Sequence, residues 1–204
     1  FSKNELNKYY NFPIEKIKVV NWGYEKNIFN LKSGKLDTEK LKQKYSLTKP
    51  YLISVGRLET KKNTQNIVKS FNILRDRGQD LQLFLVGTAG VGSAEIEKEI
   101  DASHYKKDII LANWVDSDLP KLYAGAVACV FPSFYEGFGL PVLESFACGS
   151  PIVLSKISSL QEVGGSDENS PDYVNPTNPQ EIARSIEKLI INPELRQKHI
   201  NYGL

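Results

Sequence analysis

Residue types that mark metal, redox and disulfide-rich proteins are scarce in this sequence. Its 204 residues include two histidines and two cysteines, Cys129 and Cys148. Neither cysteine belongs to a metal-binding or redox spacing, and both lie among apolar neighbours. We therefore expect both to be small core residues of a protein in a reducing compartment, and we expect no metal site.

The few histidines and tryptophans carry no clear functional pattern. His104 and His199 lie in charged surroundings near predicted helix ends, so we expect both to be solvated. Trp22 and Trp114 are expected to be packing residues rather than residues that stack on a ligand.

Long apolar runs and an excess of charge of one sign are also missing. No run reaches the length of a membrane span, and no signal peptide is recognisable. The net charge is +2, without a strongly basic stripe, so nucleic acid is not an expected partner. The hydrophobic fraction of 41% suits a soluble globular domain. Methionine is absent and the chain begins at Phe1, so we expect residues upstream in the natural protein.

Short apolar runs bounded by Gly, Pro or Ser predict buried parallel strands. Weaker candidates lie at residues 108–111 and 172–174. The four stronger runs are residues 51–55, 81–86, 127–131 and 151–154.

Segments of helical period separate these strands. Residues 64–75 place Ile67 and Phe71 on one face, and Asn63 is the expected N-cap of that helix. Strands that alternate with helices predict an α/β fold with a doubly wound, Rossmann-like parallel sheet. Its ligand crevice should lie at the carboxyl ends of the strands. The other helical segments are residues 93–100, 119–126, 141–147 and 179–190, and a last one that opens at Asn192-Pro193.

The first 45 residues do not follow this alternation. Residues 17–20 are predicted to form one short strand, and residues 32–49 a loop with a surface helix. Residues 46–204 are expected to form the nucleotide-binding domain.

A glycine-rich segment follows the third of the stronger strands and reads Glu136-Gly-Phe-Gly-Leu-Pro-Val-Leu-Glu144. Gly137 and Gly139 allow the backbone to approach a ligand closely. The helix that follows presents N–H groups and a positive dipole end, which together form an anion site. Glu136 and Glu144 can lie on either side of that anion, where carboxylates accept hydrogen bonds from sugar or ribose hydroxyls.

Two cations follow the first strand. Arg57 stands at its carboxyl end, after Gly56, and Lys62 stands just before a helix. A guanidinium and an ammonium that meet in the crevice would bind a diphosphate. Spacing alone leaves plainer alternatives open: both cations are surface residues, Glu136 is a solvated loop carboxylate, and Glu144 only favours its helix N-terminus.

Taken together, these segments resemble the group 1 family, also called family 4, of retaining glycosyltransferases with the GT-B fold. The resemblance covers residues 12–195, which makes it far more specific than any single motif. The chain departs from the usual Asn-Gly of the family at Asn21-Trp22-Gly23. The matching segments are Ser54-Val-Gly-Arg57, Lys62-Asn63, residues 131–151, Asn113-Trp-Val115, Gln161-Glu-Val163 and Tyr173-Val-Asn-Pro176.

The resemblance implies a role for each matched residue. Arg57 and Lys62 would hold the donor diphosphate and offset the charge of the leaving group, with no metal or other cofactor. Glu136 would contact the donor sugar without acting as a covalent nucleophile, and Glu144 would bind the ribose hydroxyls. The other donor-binding positions would be Gly56, Val115 in the base pocket, and Gly137, Phe138, Gly139 and Leu140 around sugar and phosphate.

The resemblance also implies a hexosyltransferase that moves a sugar from a UDP- or GDP-sugar to a saccharide or glycolipid acceptor. Residues 1–45 would then be the tail of an acceptor-binding N-terminal domain, a linker and a surface segment. Residues 46–204 would be the donor-binding C-terminal domain, ending before the last helix of the family. We expect this chain to be inactive alone. We expect the full-length enzyme in the cytoplasm, peripherally associated with the inner face of the membrane, in polysaccharide or lipopolysaccharide biosynthesis.

Other functions stay open at this point. A dehydrogenase-type cofactor domain would use Gly87-Thr-Ala-Gly90-Val-Gly92 and Asp108. The glycines, however, have the spacing G-x-x-G-x-G instead of G-x-G-x-x-G. We predict that this loop is instead a strand-to-helix turn on the donor cleft. A non-catalytic module that binds a dinucleotide or sugar nucleotide would share the fold, as would a phosphorylase or an epimerase, although the paired glutamates favour transfer.

Overall fold

The computed structural model of the chain describes residues 1–32, 38–157, 159–166 and 170–204. In this part of the chain, six parallel strands form one sheet in the order β3-β2-β1-β4-β5-β6. This order is that of a doubly wound nucleotide-binding sheet, so the predicted fold class is confirmed. The strands are β1 (Tyr51–Val55), β2 (Gln82–Val86), β3 (Ile109–Ala112), β4 (Ala128–Phe131), β5 (Ile152–Ser155) and β6 (Asp172–Val174).

Helices cover both faces of the sheet. Each predicted strand and helix from residue 51 to 191 is present, and its ends differ from the prediction by at most one residue. Among the described residues, no helix is long and apolar enough to cross a bilayer. The helices are α1 (Ser2–Tyr10), α2 (Thr38–Lys44), α3 (Thr64–Asp76), α4 (Ser93–Asp101), α5 (Leu119–Gly125), α6 (Leu140–Ala147), α7 (Leu160–Gly164), α8 (Pro179–Ile191) and α9 (Pro193–Gly203).

Alternate residues of the central strands enter two separate hydrophobic layers, as the pleat of a strand requires. Leu83 and Leu85 of β2 pack in the layer that holds α3, α4 and α8. Phe84 and Val86 pack in the opposite layer, with α5 and α6. Both layers are buried, which explains why the strands read as continuous apolar runs.

The N-terminal part differs from the prediction. Within the described residues, 17–20 form no strand, and the side chains of Val19 and Val20 are exposed. An apolar β-branched run becomes a strand only where an edge is available for pairing, and this run pairs with none of the strands described here. The surface helix predicted within residues 32–49 is α2, although its Leu41 is buried. Residues 33–37 of that prediction lie outside the described residues.

Candidate functional site

The crevice lies where the sheet changes direction. β1 and β4 are neighbours at the centre of the sheet, and the chain leaves β1 towards α3 on one face and β4 towards α6 on the other. The carboxyl ends of two such strands open a crevice between the two helices, and this is where doubly wound sheets bind ligands. Gly56 and Arg57 follow β1 at this edge, and residues 132–139 follow β4.

Lys62 and Glu136 form an ion pair in the crevice. Lys62 Nζ lies 2.6 Å from Glu136 Oε1, and the two side chains are 18% and 10% exposed. The ammonium also lies 5.0 Å from the centroid of the Phe131 ring. The aliphatic part of Lys62 passes beside Gly56, where a Cβ would come within 3.5 Å of it. The plainer alternatives for these two residues, a surface cation and a solvated loop carboxylate, are therefore wrong.

Arg57 has a different environment. Its side chain is exposed, and its guanidinium donates to the carbonyl of Ala89 in the loop after β2 at 3.4 Å. The structure thus brings Lys62 and Glu136 together and leaves Arg57 at the rim. The plainer alternative of a surface cation stays open for Arg57.

The two glycines of the turn before α6 serve different purposes. Gly139, at the N-cap position, has φ 108°, and a Cβ there would lie 2.7 Å from Leu160 of α7. The positive φ is the main reason for a glycine here, and the close approach of Leu160 adds to it. The position of a Cβ on Gly137 is open, with no atom of the described residues within 4 Å. The Ser159 hydroxyl donates to the carbonyls of Glu136 and Phe138 at 3.0 and 3.2 Å and holds the turn in place.

The N-terminus of α6 is available to a ligand. The helix begins at Leu140, one residue before the prediction, and no side chain in the described part of the chain caps it. Its first N–H groups and the positive end of its dipole therefore suit an anion.

Glu144 lies one turn into α6 and is half-buried. The hydroxyl of Tyr123, on α5, donates to its Oε2 at 3.2 Å. Burial raises the pKa of Glu144, and the hydrogen bond from Tyr123 opposes that rise. Sequence reasoning missed Tyr123. The available signal was a tyrosine on the apolar face of a helix, since a buried phenol needs a hydrogen-bond partner.

Two cavities meet at the start of α6. The first cavity, of about 930 Å³, is lined by Lys62, Glu136, Phe138 and the N-terminal segment from Ile17 to Trp22. The predicted Gly137 and Gly139 also line the first cavity. The second cavity has a volume of about 1090 Å³. Leu140 and Pro141 line both, so the two glutamates lie on opposite sides of the helix end. The first volume lies within the range of small-molecule sites, about 300–1,000 Å³, and the second lies slightly above it. The predicted residues on the second cavity are Gly56, Arg57, Val115 and Glu144.

The tryptophans are not packing residues. Trp22 and Trp114 are 68% and 75% exposed, and both line the second cavity together with Tyr24 and Phe29. The contrary prediction fails because both stand in loops at the mouth of the crevice. An exposed aromatic surface of this kind suits the flat face of a base.

Other polar residues have environments that the sequence did not indicate. Asn63 has the N-cap position of α3, but its side chain accepts no capping bond among the described residues. Its carboxamide points away from the helix end, and the nitrogen donates to two carbonyls in other loops. His199 is buried where α9 packs against α6 and α8, and burial lowers its pKa, so the prediction that it is solvated is wrong. His104 is exposed as predicted, and Cys129 and Cys148 are both buried.

The glycine loop after β2 packs closely against the loop after β1. Leu58 and Ala89 form a β-bridge between this loop and the one after β1, and a Cβ on Gly87 would lie 2.0 Å from the carbonyl oxygen of Gly56. Asp108 precedes β3, at the opposite end of the sheet, and pairs with Lys49 and Arg75 at 3.0 and 3.1 Å. The glycine loop and Asp108 are therefore not placed to bind a dinucleotide, which contradicts the dehydrogenase alternative.

Known proteins resemble this chain in sequence and in structure. Two relatives are the O-antigen chain mannosyltransferase B of Escherichia coli, 31% identical over 85% of this chain and 47% of its own length, and the capsular polysaccharide biosynthesis glycosyltransferase CapM of Staphylococcus aureus, 30% identical over 89% and 48%. The chain thus spans about half the length of these relatives. The crystal structure of HepE from Anabaena with UDP-glucose is 20% identical, covers 99% of this chain and 55% of that one, and has a TM-score of 0.85.

The sequence model of one family covers most of the chain. It matches residues 37–204, which include both strands of the crevice and the whole segment from Glu136 to Glu144. The structural likeness supports the fold of the GT-B enzymes independently of that match. This chain belongs to the group 1 glycosyltransferases.

Proposed function

We propose that this chain is the donor-binding part of a retaining glycosyltransferase that transfers a hexose from a UDP- or GDP-sugar to a saccharide or glycolipid acceptor. The observation that carries the proposal is the Lys62–Glu136 ion pair beside the uncapped start of α6, with Glu144 on the other side of that helix end. A cation and a helix N-terminus suit a diphosphate, and flanking carboxylates suit the hydroxyls of a sugar and a ribose.

The proposed chemistry uses the charges already in the crevice. When the bond from the anomeric carbon to the diphosphate oxygen breaks, the leaving group gains negative charge. Lys62, the start of α6 and Arg57 at the rim would offset it, and one such contact is typically worth about 3 kcal/mol in the transition state. No metal ion is required in this proposal.

Retention follows a front-face route in this proposal. The acceptor oxygen bonds to the anomeric carbon on the face that the diphosphate leaves, and a phosphate oxygen accepts the hydroxyl proton. Glu136, held by Lys62, accepts a hydrogen bond from the donor sugar and forms no covalent bond to it.

Similar proteins support the choice of donor and acceptor class. HepE was crystallised with UDP-glucose, and the two relatives are named for mannosyl transfer to O-antigen and for capsule synthesis. We propose a nucleotide hexose donor and an acceptor in surface polysaccharide or lipopolysaccharide synthesis. The acceptor would bind to parts of the enzyme outside these residues, because the relatives are about twice as long as this chain, so the chain alone would be inactive. We propose that the enzyme acts in the cytoplasm at the inner face of the membrane.

The first experiment identifies the nucleotide. A thermal-shift screen of the full-length protein with UDP, GDP, ADP and their sugars should give one stabilising base. Saturation at about 100 times the dissociation constant adds roughly 2.7 kcal/mol to the free energy of unfolding. Absence of any shift across the screen would contradict donor binding.

The second experiment tests the diphosphate role. Lys62→Ala and Arg57→Ala should weaken binding of the nucleoside diphosphate about 10- to 100-fold in calorimetry, because each removes a charge-assisted hydrogen bond, and they should leave the nucleoside unaffected. Lys61→Ala is the matched control, since Lys61 is exposed and pairs with Glu59. Equal losses for nucleoside and nucleoside diphosphate would count against the proposal.

A further inference from the structure

Asn63 is a buried polar residue whose side chain connects the loop after β1 to the loops after β4 and β6. Its carboxamide nitrogen donates to the carbonyl of Pro132 at 2.9 Å and to that of Pro176 at 2.7 Å. The side chain of Asn63 is 2% exposed, and both proline residues are buried as well. A carboxamide has two N–H donors, and both are used here.

These two bonds join three loops that follow different strands. Asn63 lies in the loop after β1, Pro132 immediately after β4, and Pro176 after β6. Buried carbonyls need a partner, and without Asn63 the carbonyl of Pro132 would lose this donor. Asn66 also donates to the carbonyl of Pro176, at 3.0 Å. Of these two asparagines, Asn63 is the one that also bonds to Pro132 in the loop after β4.

Two hydrogen bonds between the loops after β1 and β4 flank Lys62, one at each neighbouring residue. On one side, the carbonyl of Lys61 accepts from the backbone N–H of Phe134 at 2.8 Å. On the other side, the side chain of Asn63 reaches Pro132. The loop that carries Lys62 is therefore fixed against the loop that carries Glu136 immediately before and after the lysine.

The backbone conformation of Asn63 also favours this connection between the loops. Its φ of 61° and ψ of 32° are left-handed, a conformation that asparagine tolerates better than most residues other than glycine. This conformation separates the 3-10 turn Thr60–Lys62 from α3 and directs the carboxamide towards β4 instead of the helix end. Glycine would satisfy the backbone but could not supply the donors.

We propose that Asn63 is a positioning residue for donor binding. Its carboxamide joins the β1 and β4 loops and so sets the distance between Lys62 and Glu136. This inference rests on the proposed function, in which Lys62 holds the diphosphate and Glu136 holds the sugar. Asn63 itself does not touch the donor.

The test compares Asn63→Gly with Asn63→Asp in the full-length protein. Glycine keeps the left-handed backbone and removes the carboxamide, whereas aspartate keeps the shape and removes the donors. Asn66→Ala is the matched control, because it removes a bond to Pro176 only. The measured quantity is the ratio of dissociation constants for the nucleoside and its diphosphate, either uridine and UDP or guanosine and GDP, as the screen directs.

Both Asn63 variants should lower this ratio about tenfold, with the nucleoside constant unchanged, because a misplaced Lys62 affects only the diphosphate. Asn66→Ala should keep the wild-type ratio. A general loss of folding would weaken both ligands alike and would overturn the positioning role, as would a wild-type ratio in either Asn63 variant. If Lys62→Ala lowers the ratio and Asn63→Gly does not, the inference fails while the proposed function stands. An unchanged ratio in Lys62→Ala overturns both.

Discussion

At Glu144, burial and one hydroxyl contact act on the same carboxyl group in opposite directions. Burial raises the pKa, and the hydrogen bond from Tyr123 lowers it because the bond favours the charged form. Tyr123 is fully buried, and its ring packs edge-on against Phe29, so the hydroxyl has a fixed direction. The structure thus supplies Glu144 with an orienting partner, as a carboxylate needs for recognition of two neighbouring hydroxyls.

Tyr123→Phe removes this partner with little loss of packing. If Glu144 binds the ribose, the preference for a ribonucleotide over its 2′-deoxy analogue should fall about 3- to 10-fold, the typical worth of one hydrogen bond. The pKa of Glu144 should also rise further, because the bond that lowers it is gone. Only the carboxylate accepts both hydroxyls, so the preference is lost as the pH falls through this pKa, and in the variant it should be lost at a higher pH.

Calorimetry with both nucleotides across the acidic range checks this prediction. Glu144→Ala, which removes the carboxylate itself, should abolish the preference at every pH. A Tyr123→Phe protein with the wild-type preference and the wild-type pH profile would show that the hydroxyl does not orient Glu144.

At the scale of single elements, the turn before α6 contains two glycines with different surroundings, Gly137 and Gly139. Gly139 has a positive φ and lies against Leu160, whereas a Cβ on Gly137 would meet no atom among the residues that the structure describes. The helix between the two cavities is therefore placed by Gly139 and by the Ser159 hydroxyl. Gly137 is left as the part of the turn that a ligand can approach.

Gly139→Ala should therefore destabilise the protein, whereas Gly137→Ala should not. A left-handed alanine costs about 1–2 kcal/mol, and the contact with Leu160 adds to that cost. Gly137→Ala should change the free energy of unfolding by less than about 0.5 kcal/mol, as surface substitutions usually do. Urea unfolding of the two variants measures the difference. Similar stabilities would show that packing against α7 does not require Gly139.

At the scale of the whole molecule, the two hydrophobic layers contain helices that lie next to different parts of the candidate site. One layer contains α3, the helix that follows the loop of Lys62, and the other contains α6, the helix that carries Glu144. The crevice lies between the layers, so its geometry depends on the central sheet that both share. Both cysteines belong to the second layer and report on it.

Cys129 and Cys148 should be unreactive in the native protein. Burial raises the pKa of each thiol to about 12, so neither forms the reactive thiolate near neutral pH. Labelling with a thiol reagent should therefore proceed only on unfolding and should report two thiols in denaturant. Rapid modification of either cysteine under native conditions would show that this layer opens locally.

The sequence by itself determined the alternation of elements and indicated which residues line the candidate site. The runs at residues 51–55 and 127–131 are buried on both faces, so their apolar character is visible without coordinates. Glycines and charges near strand ends are equally visible, which is why the sequence indicates Lys62, Glu136 and Glu144. The strand predicted at residues 17–20 failed because pairing requires an edge that the local sequence does not contain.

Only the tertiary structure decided which of these residues meet. The ion pair joins residues 74 positions apart, and the bonds of Asn63 span 69 and 113 positions. The capping role expected for Asn63 and the solvation expected for His199 follow from local sequence. Hydrogen bonds between loops overrode the first, and packing of α9 against α6 and α8 overrode the second. Local patterns predict a helix well because its hydrogen bonds are local, and they predict a buried strand from its apolar run, although the hydrogen bonds of a strand go to other strands. The partners of a side chain at a strand end depend on strand order, and the order 3-2-1-4-5-6 brings the ends of β1 and β4 together.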